Sequence, residues 1–120
     1  MVNSTPIVIR SLTGVFPHNF RDLTLVSGTI GDYAALVVPA NSNIKSMGDL
    51  VSAYKANPSG VAIGGGSVPG GMDHLVAAMV MQAAGADPTE VKYVAYDAGG
   101  KAMAALLSGE IKALSTGFSE

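Results

Sequence analysis

Apolar runs of strand length alternate with segments of helical periodicity along most of this chain. Runs rich in β-branched and aromatic residues predict strands at 33–38, 61–63, 91–95 and 111–115, with a weaker one at 23–26. Apolar residues at helical spacing predict helices that follow Ser46, begin near Met72 and centre on 102–106. The predicted order is β-β-α-β-α-β-α-β, and residues 1–20 follow neither pattern well enough to be assigned.

Capping and breaking residues predict where these helices begin and end. Ser46 and Asp49 have the spacing of a capping box, with Asp in place of the usual Glu. The Pro- and Gly-containing cluster at 57–60 ends the first helix. Gly85 is placed to follow the second helix as its C′ residue, and Gly109 stops the third.

Strands that alternate with helices predict an α/β fold. The expected architecture is three layers, α/β/α, around a mixed and mostly parallel sheet covered on both faces. In such sheets ligands gather at the carboxyl ends of the strands, where the strand-to-helix turns lie. Two glycine-containing turns are of this kind, so we expect them to share one edge of the sheet.

Composition narrows the class of protein. The 120 residues suffice for one domain, and residues 1–120 are predicted to form a single α/β lobe. The absence of cysteine excludes thiolate metal sites, disulfides and thiol nucleophiles. The chain has 7 Lys and Arg against 9 Asp and Glu without a basic cluster, so no nucleic-acid partner is expected. The first residues lack the pattern of a signal peptide, and no apolar run reaches the ~18 residues of a membrane span.

Residues 64–71, the first glycine turn, join a predicted strand to a predicted helix. Backbone N–H groups at such a junction face the positive end of the helix dipole and can bind an anion. The candidates are Ser67 and the amides near Gly66, Gly70 and Gly71. The turn lacks the Lys and Ser/Thr of a P-loop, and Pro69 interrupts a dinucleotide fingerprint. The structural alternative to an anion-binding turn is a tight turn in which glycine supplies a positive φ. One such turn needs fewer glycines than this stretch contains.

The other polar candidates have two interpretations each. His74 is a structural histidine or a polar wall beside a ligand, and no nucleophile or orienting carboxylate at a useful spacing makes it a base. In the second glycine turn, residues 96–100, Asp97 is a helix cap, or the backbone provides a second set of donors facing the first turn. The corresponding candidates in this turn are Tyr96, Asp97, Ala98, Gly99 and Gly100. We expect no catalytic group, no metal site and no cofactor.

Four stretches together resemble a known family over roughly residues 16–120. They are 20–28, the pair 36–39 and 44–50, then 64–74, and finally 94–102 with 106–111. The chain resembles the solute-binding component of tripartite tricarboxylate transporters, the TctC or Bug family. The resemblance implies one lobe of a type 2 periplasmic binding protein, similar to the second of two hinged domains.

The resemblance also implies a function. Members bind small carboxylates in the periplasm and pass them to membrane permease subunits. It implies that Ser67 and the amides of 66–71 form one side of a carboxylate pocket, with 96–100 as the adjacent loop. The segments near Asp32 and Tyr33, and near Ser119 and Glu120, are expected to cross the hinge to a first domain that this chain lacks. A homodimer of the isolated lobe, formed through its exposed cleft or hinge strands, is a further alternative.

One position departs from the family pattern. Many members have Pro-Tyr-Lys where this chain has Ala95, Tyr96 and Asp97. Since a carboxylate beside a carboxylate ligand is unfavourable, we expect Asp97 to cap the helix and point away. A solute with a positive group is the other explanation. The alternative to the whole assignment is a small α/β enzyme domain that binds nucleotide or phosphate at the first glycine turn.

Overall fold

The computed structural model describes residues 5–119. The chain divides into two compact units, one reaching to Gly31 and the other starting at Asp32.

In the first unit, helix α1 (Pro6–Thr13) begins with proline and ends at Gly14, whose φ is 70°. A 3-10 turn (Phe20–Asp22) follows, and Phe20 N donates to Ser11 Oγ at 3.0 Å. The strand predicted at 23–26 is wrong. Residues 24–31 form no regular element, and Leu25 and Val26 are 81% and 95% exposed, so no neighbouring strand or core stabilises an extended pairing there.

The second unit contains four strands and three helices, in the order β-α-β-α-β-α-β. Their bounds are β1 (Ala34–Val37), α2 (Met47–Ala56), β2 (Ile63–Gly65), α3 (Met72–Ala83), β3 (Tyr93–Ala95), α4 (Gly99–Ser108) and β4 (Ala113–Gly117). Each strand overlaps its predicted run, but β2, β3 and β4 begin two residues later than expected. No helix among residues 5–119 has the length and hydrophobicity needed to cross a bilayer.

The sheet has the order β1-β4-β2-β3. β2 pairs in parallel with both β3 and β4, with Ile63 opposite Tyr93 on one side and Ala113 on the other. β1 pairs antiparallel with β4, with Ala34 opposite Gly117. The predicted mixed and mostly parallel sheet is therefore confirmed.

Both faces of the sheet are covered. On one face, α2 and α3 pack over a core that includes Tyr54, Ile63 and Met81. On the other face, α4 packs through Leu106 against a core that includes Leu114. The chain leaves β2 toward β3 and returns across β2 to β4. Since parallel crossovers are right-handed, these opposite directions place α3 and α4 on opposite faces, which gives the predicted three layers.

The predicted helix ends are confirmed, except that only one half of the capping box at Ser46 and Asp49 forms. Ser46 Oγ accepts a hydrogen bond from Asp49 N at 3.1 Å, and Asp49 Oδ2 accepts from Lys45 N instead of from the cap residue. α3 ends in a Schellman motif in which Gly85, at φ 76°, follows the cap and Ala86 N donates to Met81 O. Gly109, at φ 83°, ends α4.

We use the name carboxyl edge for the edge of the sheet where β2, β3 and β4 end and the antiparallel β1 begins. The turn after β2 leads to α3 on one face, and the turn after the adjacent β3 leads to α4 on the other. A crevice between two such turns is where ligands bind in open α/β sheets. The topology therefore brings both glycine turns to one edge, as predicted.

Candidate functional site

The tip of the first glycine turn is a type II β-turn. Gly71 N donates to Val68 O at 2.8 Å, Pro69 is the second residue of the turn, and Gly70 is the third with φ 80°. Proline and glycine are the residues that these two positions favour. Gly70 is therefore explained by the positive φ of a tight turn, which was the structural alternative to a ligand-binding turn.

Backbone amides of the first glycine turn donate hydrogen bonds to side chains of the protein itself. Asp73, in the first turn of α3, accepts through Oδ2 from Gly66 N at 3.0 Å, Ser67 N at 3.1 Å and Ser67 Oγ at 2.9 Å. Its own amide lies 3.4 Å from Ser67 Oγ. The carboxylate at the amino terminus of α3 is thus that of Asp73, placed where the helix dipole favours a negative charge.

His74 and Tyr93 hold the other side of this turn. His74 Nδ1 accepts from Gly70 N at 2.9 Å, so the neutral ring carries its hydrogen on Nε2. The ring stacks on Tyr93 with centroids 4.7 Å apart, and Tyr93 Oη donates to Ser67 O at 2.8 Å. Burial, then the nearby charge of Asp73, raises the pKa of Tyr93 to about 12. His74 therefore has the structural role that was one of its two interpretations, and a role beside a ligand stays a prediction.

Gly64 and Gly65 belong to β2 and allow close packing. A Cβ on Gly64 would overlap Ile111 and lie 3.0 Å from the ring of Tyr96. A Cβ on Gly65 would lie 2.6 Å from both Asp73 Cβ and Tyr93 Oη. These two glycines are required by neighbouring side chains on the two faces of the sheet, so they are not evidence for a ligand.

The second glycine turn leaves its helix uncapped. The N-cap of α4 is Ala98, which has no side chain able to cap, and its first turn contains no acidic residue. Among residues 5–119, no hydrogen bond uses the amide of Gly99 or of Gly100. The prediction that Asp97 caps this helix is wrong, because Asp97 lies one residue too early. Its Oδ2 instead accepts from Lys101 Nζ at 2.7 Å, and its side chain is 86% exposed.

The two turns touch through Gly66. A Cβ on this residue would lie 3.1 Å from Gly99 N and 3.4 Å from the carbonyl carbon of Ala98. Tyr96 N donates to Gly65 O at 2.9 Å, which extends the β2–β3 ladder into the turn. The absence of a side chain at Gly66 therefore permits the close approach of the amino terminus of α4.

The side chain of Tyr96 is engaged elsewhere. Its Oη donates to Glu110 Oε1 at 2.9 Å, in the segment between α4 and β4. Burial first, and then Glu110, raise the pKa of this phenol. The backbone of Tyr96 thus belongs to the second glycine turn, whereas its hydroxyl bonds to a residue before β4.

The predicted hinge segments lie at the same edge. Tyr33 precedes β1 and Ser119 follows β4, and Phe118 N donates to Tyr33 O at 2.6 Å. Asp32 Oδ1 accepts from Tyr33 N at 2.9 Å. Glu120 lies outside the described residues. The two segments run side by side at the carboxyl edge, and their role as a hinge stays a prediction.

Sequence reasoning missed Asp73 and Tyr93. The available signal for Asp73 was its place two residues after Gly71, since an acid in the first turn of a helix can bond to the preceding loop. Tyr93 had no such signal, because its partner Ser67 is 26 residues away. Among residues 5–119, no three His, Asp or Glu side chains lie close enough together to hold a metal ion.

Comparison with protein families identifies the chain. The model of the tripartite tricarboxylate transporter family receptor, TctC, matches residues 3–119. The chain belongs to this receptor family. A comparison with curated proteins found no match.

A TctC receptor is a solute-binding protein of a tripartite transporter, and receptors of this family are periplasmic. The family is one of binding proteins rather than enzymes, which opposes the alternative of a nucleotide- or phosphate-binding enzyme domain. The family match and the α/β architecture both agree with the predicted lobe of a type 2 periplasmic binding protein.

Proposed function

We propose that this chain binds one carboxylate group of a small organic acid at the amino terminus of α4, within the crevice between the two glycine turns. The observation that carries the proposal is the difference between the two helices that begin at the carboxyl edge. α3 has its own carboxylate, that of Asp73, whereas α4 has no side-chain cap, and the amides of Gly99 and Gly100 have no partner among residues 5–119.

Physical chemistry favours an external anion at this position. The first amides of a helix have no partner within the helix, and the helix dipole adds about 0.3–1 kcal/mol for a negative group at an exposed terminus. A hydrogen bond to a charged group contributes about 1.5–3 kcal/mol. Two amides and a dipole thus support weak binding, in keeping with one wall of a cleft. Gly66 contributes by leaving the approach to Gly99 free of a side chain.

The remaining wall is proposed to come from a first domain of the same protein. The side chains of Tyr33 and Phe118, which lie at the carboxyl edge, are 78% and 79% exposed. A covering domain would exclude water from the carboxylate and strengthen its hydrogen bonds. The closed receptor would then deliver its solute to the membrane permease subunits in the periplasm. A second copy of this chain over the same edge would give a homodimer instead.

A matched pair of variants at Gly100 tests the site. Gly100→Pro removes one amide hydrogen from the first helical turn, where proline is tolerated, and the preceding Gly99 has no Cβ to clash with the ring. Gly100→Ala keeps the amide, and its Cβ would meet nothing within 4 Å. In a titration with acetate followed by NMR, we expect Gly100→Pro to weaken binding about tenfold and Gly100→Ala to leave it unchanged. Equal affinities for the two variants would contradict the proposal.

A further inference from the structure

The charges of the second unit are divided unevenly between the two edges of its sheet. Three carboxylates lie at the carboxyl edge, since Asp32 precedes β1, Asp73 is in the first turn of α3 and Asp97 follows β3. The only ammonium group there, among residues 32–119, is that of Lys101 in the first turn of α4. The candidate solute edge therefore has a formal charge of −2.

The other lysines of the unit lie at the opposite edge. Lys45 Nζ donates to Ala40 O beyond the end of β1, Lys55 lies in the last turn of α2 and approaches Gly85, and Lys92 and Lys112 immediately precede β3 and β4. Residues 32–119 contain no arginine. Among residues 32–119, Lys101 is thus the one cation near the proposed site, and the other lysines lie at the opposite edge.

Among the carboxylates of this edge, Asp97 is the nearest in sequence to the amides of the proposed site. The carboxylate of Asp73 accepts three hydrogen bonds at a helix amino terminus, which stabilise its charge internally. Asp97 has one ionic partner, Lys101, and both side chains are largely exposed, at 86% and 66%. Such surface pairs are weak, so Lys101 can move away from Asp97 at little cost. Asp97 is two residues before Gly99, which keeps their Cα atoms within about 7 Å.

We propose that Asp97 makes this receptor selective for solutes with a single carboxylate, and that di- and tricarboxylates are disfavoured by repulsion. This inference rests on the proposed carboxylate site at α4. The shared chemistry of the preferred solutes is one carboxylate with no second anionic group. The rest of the solute is apolar, or it bears an ammonium group that bonds to Asp97.

Three four-carbon acids of equal length form the test. Butanoate, 4-aminobutanoate and succinate carry the same carboxylate and differ at the far end, which is a methyl group, an ammonium group or a second carboxylate. Each is titrated into the chain while NMR follows the amides of Gly99 and Gly100. We expect succinate to bind about tenfold more weakly than butanoate. This ratio, equivalent to about 1.4 kcal/mol, lies between the repulsions that Coulomb's law gives at ~5 Å in water and at a protein surface.

Asp97→Asn removes the charge while keeping the size of the side chain. In this variant the butanoate-to-succinate ratio of affinities should fall to near one, and 4-aminobutanoate should lose any advantage over butanoate. Comparing ratios cancels the effect of the variant on the shared carboxylate. Glu90→Gln is the matched control, since it removes one exposed carboxylate at the opposite edge and should leave both ratios unchanged.

The possible outcomes separate the two proposals. Succinate binding as tightly as butanoate, or a ratio that Asp97→Asn does not change, would overturn the selectivity while the proposed site stands if Gly100→Pro still weakens binding. If none of the three acids shifts the Gly99 and Gly100 amides, both proposals are wrong. A preference for 4-aminobutanoate over butanoate that Asp97→Asn abolishes would identify the solute as an amino acid.

Discussion

Asp73 accepts a hydrogen bond from the hydroxyl of Ser67 at 2.9 Å, through the same oxygen that accepts from the amides of Gly66 and Ser67. The first glycine turn thus surrounds a carboxylate that belongs to the protein. A solute could take this position only by displacing Asp73. In the second glycine turn, by contrast, no carboxylate among residues 5–119 accepts from the amides of Gly99 and Gly100, so we place the candidate site there.

Removing the carboxylate of Asp73 should destabilise the unit. Asp73→Ala leaves two amides and one hydroxyl without their charged acceptor, and we expect a loss of about 2 kcal/mol in the free energy of unfolding, measured with urea. Asp73→Asn keeps one oxygen as an acceptor and should lose less. Equal stability of Asp73→Ala and the natural chain would show that the turn is held by other contacts.

The Tyr93 phenol should make stability fall at high pH. Its pKa in the folded chain is about 12, above the ordinary value of about 10, so the folded chain holds this proton more tightly than the unfolded chain. The resulting stabilisation is fully present below pH ~10 and is lost as the pH rises through about 12. Tyr93→Phe should remove part of this loss in unfolding experiments between these pH values. An unchanged pH profile in the variant would contradict the assignment.

Two glycines in the two turns should respond oppositely to alanine. Gly70 has φ 80°, where a Cβ costs about 1–2 kcal/mol, so Gly70→Ala should lower the melting temperature. Gly100 lies in a helix with open space around a new Cβ, so Gly100→Ala should stabilise by up to about 1 kcal/mol. Thermal unfolding of both variants checks the pair, and a loss of stability in Gly100→Ala would argue against an α4 that begins at Gly99.

Ser115 should tolerate loss of its hydroxyl. The residue is fully buried in β4, and its Oγ has no hydrogen-bond partner among residues 5–119. Since a buried hydroxyl without a partner costs about 1–3 kcal/mol, Ser115→Ala should be neutral or more stable than the natural chain. Urea unfolding measures the difference. A clear destabilisation would indicate that a buried water or another group bonds to this hydroxyl.

The second unit was largely predictable from the sequence because its local signals agree with its packing. Pro58, Gly85 and Gly109 end helices where they were expected to, and each strand overlaps its apolar run. The first unit was not predictable in this way. Leu25 and Val26 have strand-like side chains, but their exposure shows that strand formation depends on a partner that local sequence does not reveal.

The position of the two glycine turns was predictable, but their contacts were not. The sequence placed both turns at the carboxyl edge, and the topology brings them there. That a ligand binds there stays a prediction. The number of glycines was a poor guide to the ligand-binding amides. Gly64 and Gly65 are needed because the side chains of Tyr96, Asp73 and Tyr93 pack closely against them. Contacts of this kind join residues far apart in sequence, which no spacing rule within one turn describes.

An NMR titration of the chain with acetate tests the central claim most directly, because acetate carries the carboxylate and almost nothing else. If α4 binds the anion, the amide signals of Gly99 and Gly100 should move most and follow one saturating curve. The amides of Gly66 and Gly70, bonded to Asp73 and His74, should move little. Saturating shifts at Gly66 and Gly70, with Gly99 and Gly100 unmoved, would contradict the account and return the site to the first glycine turn.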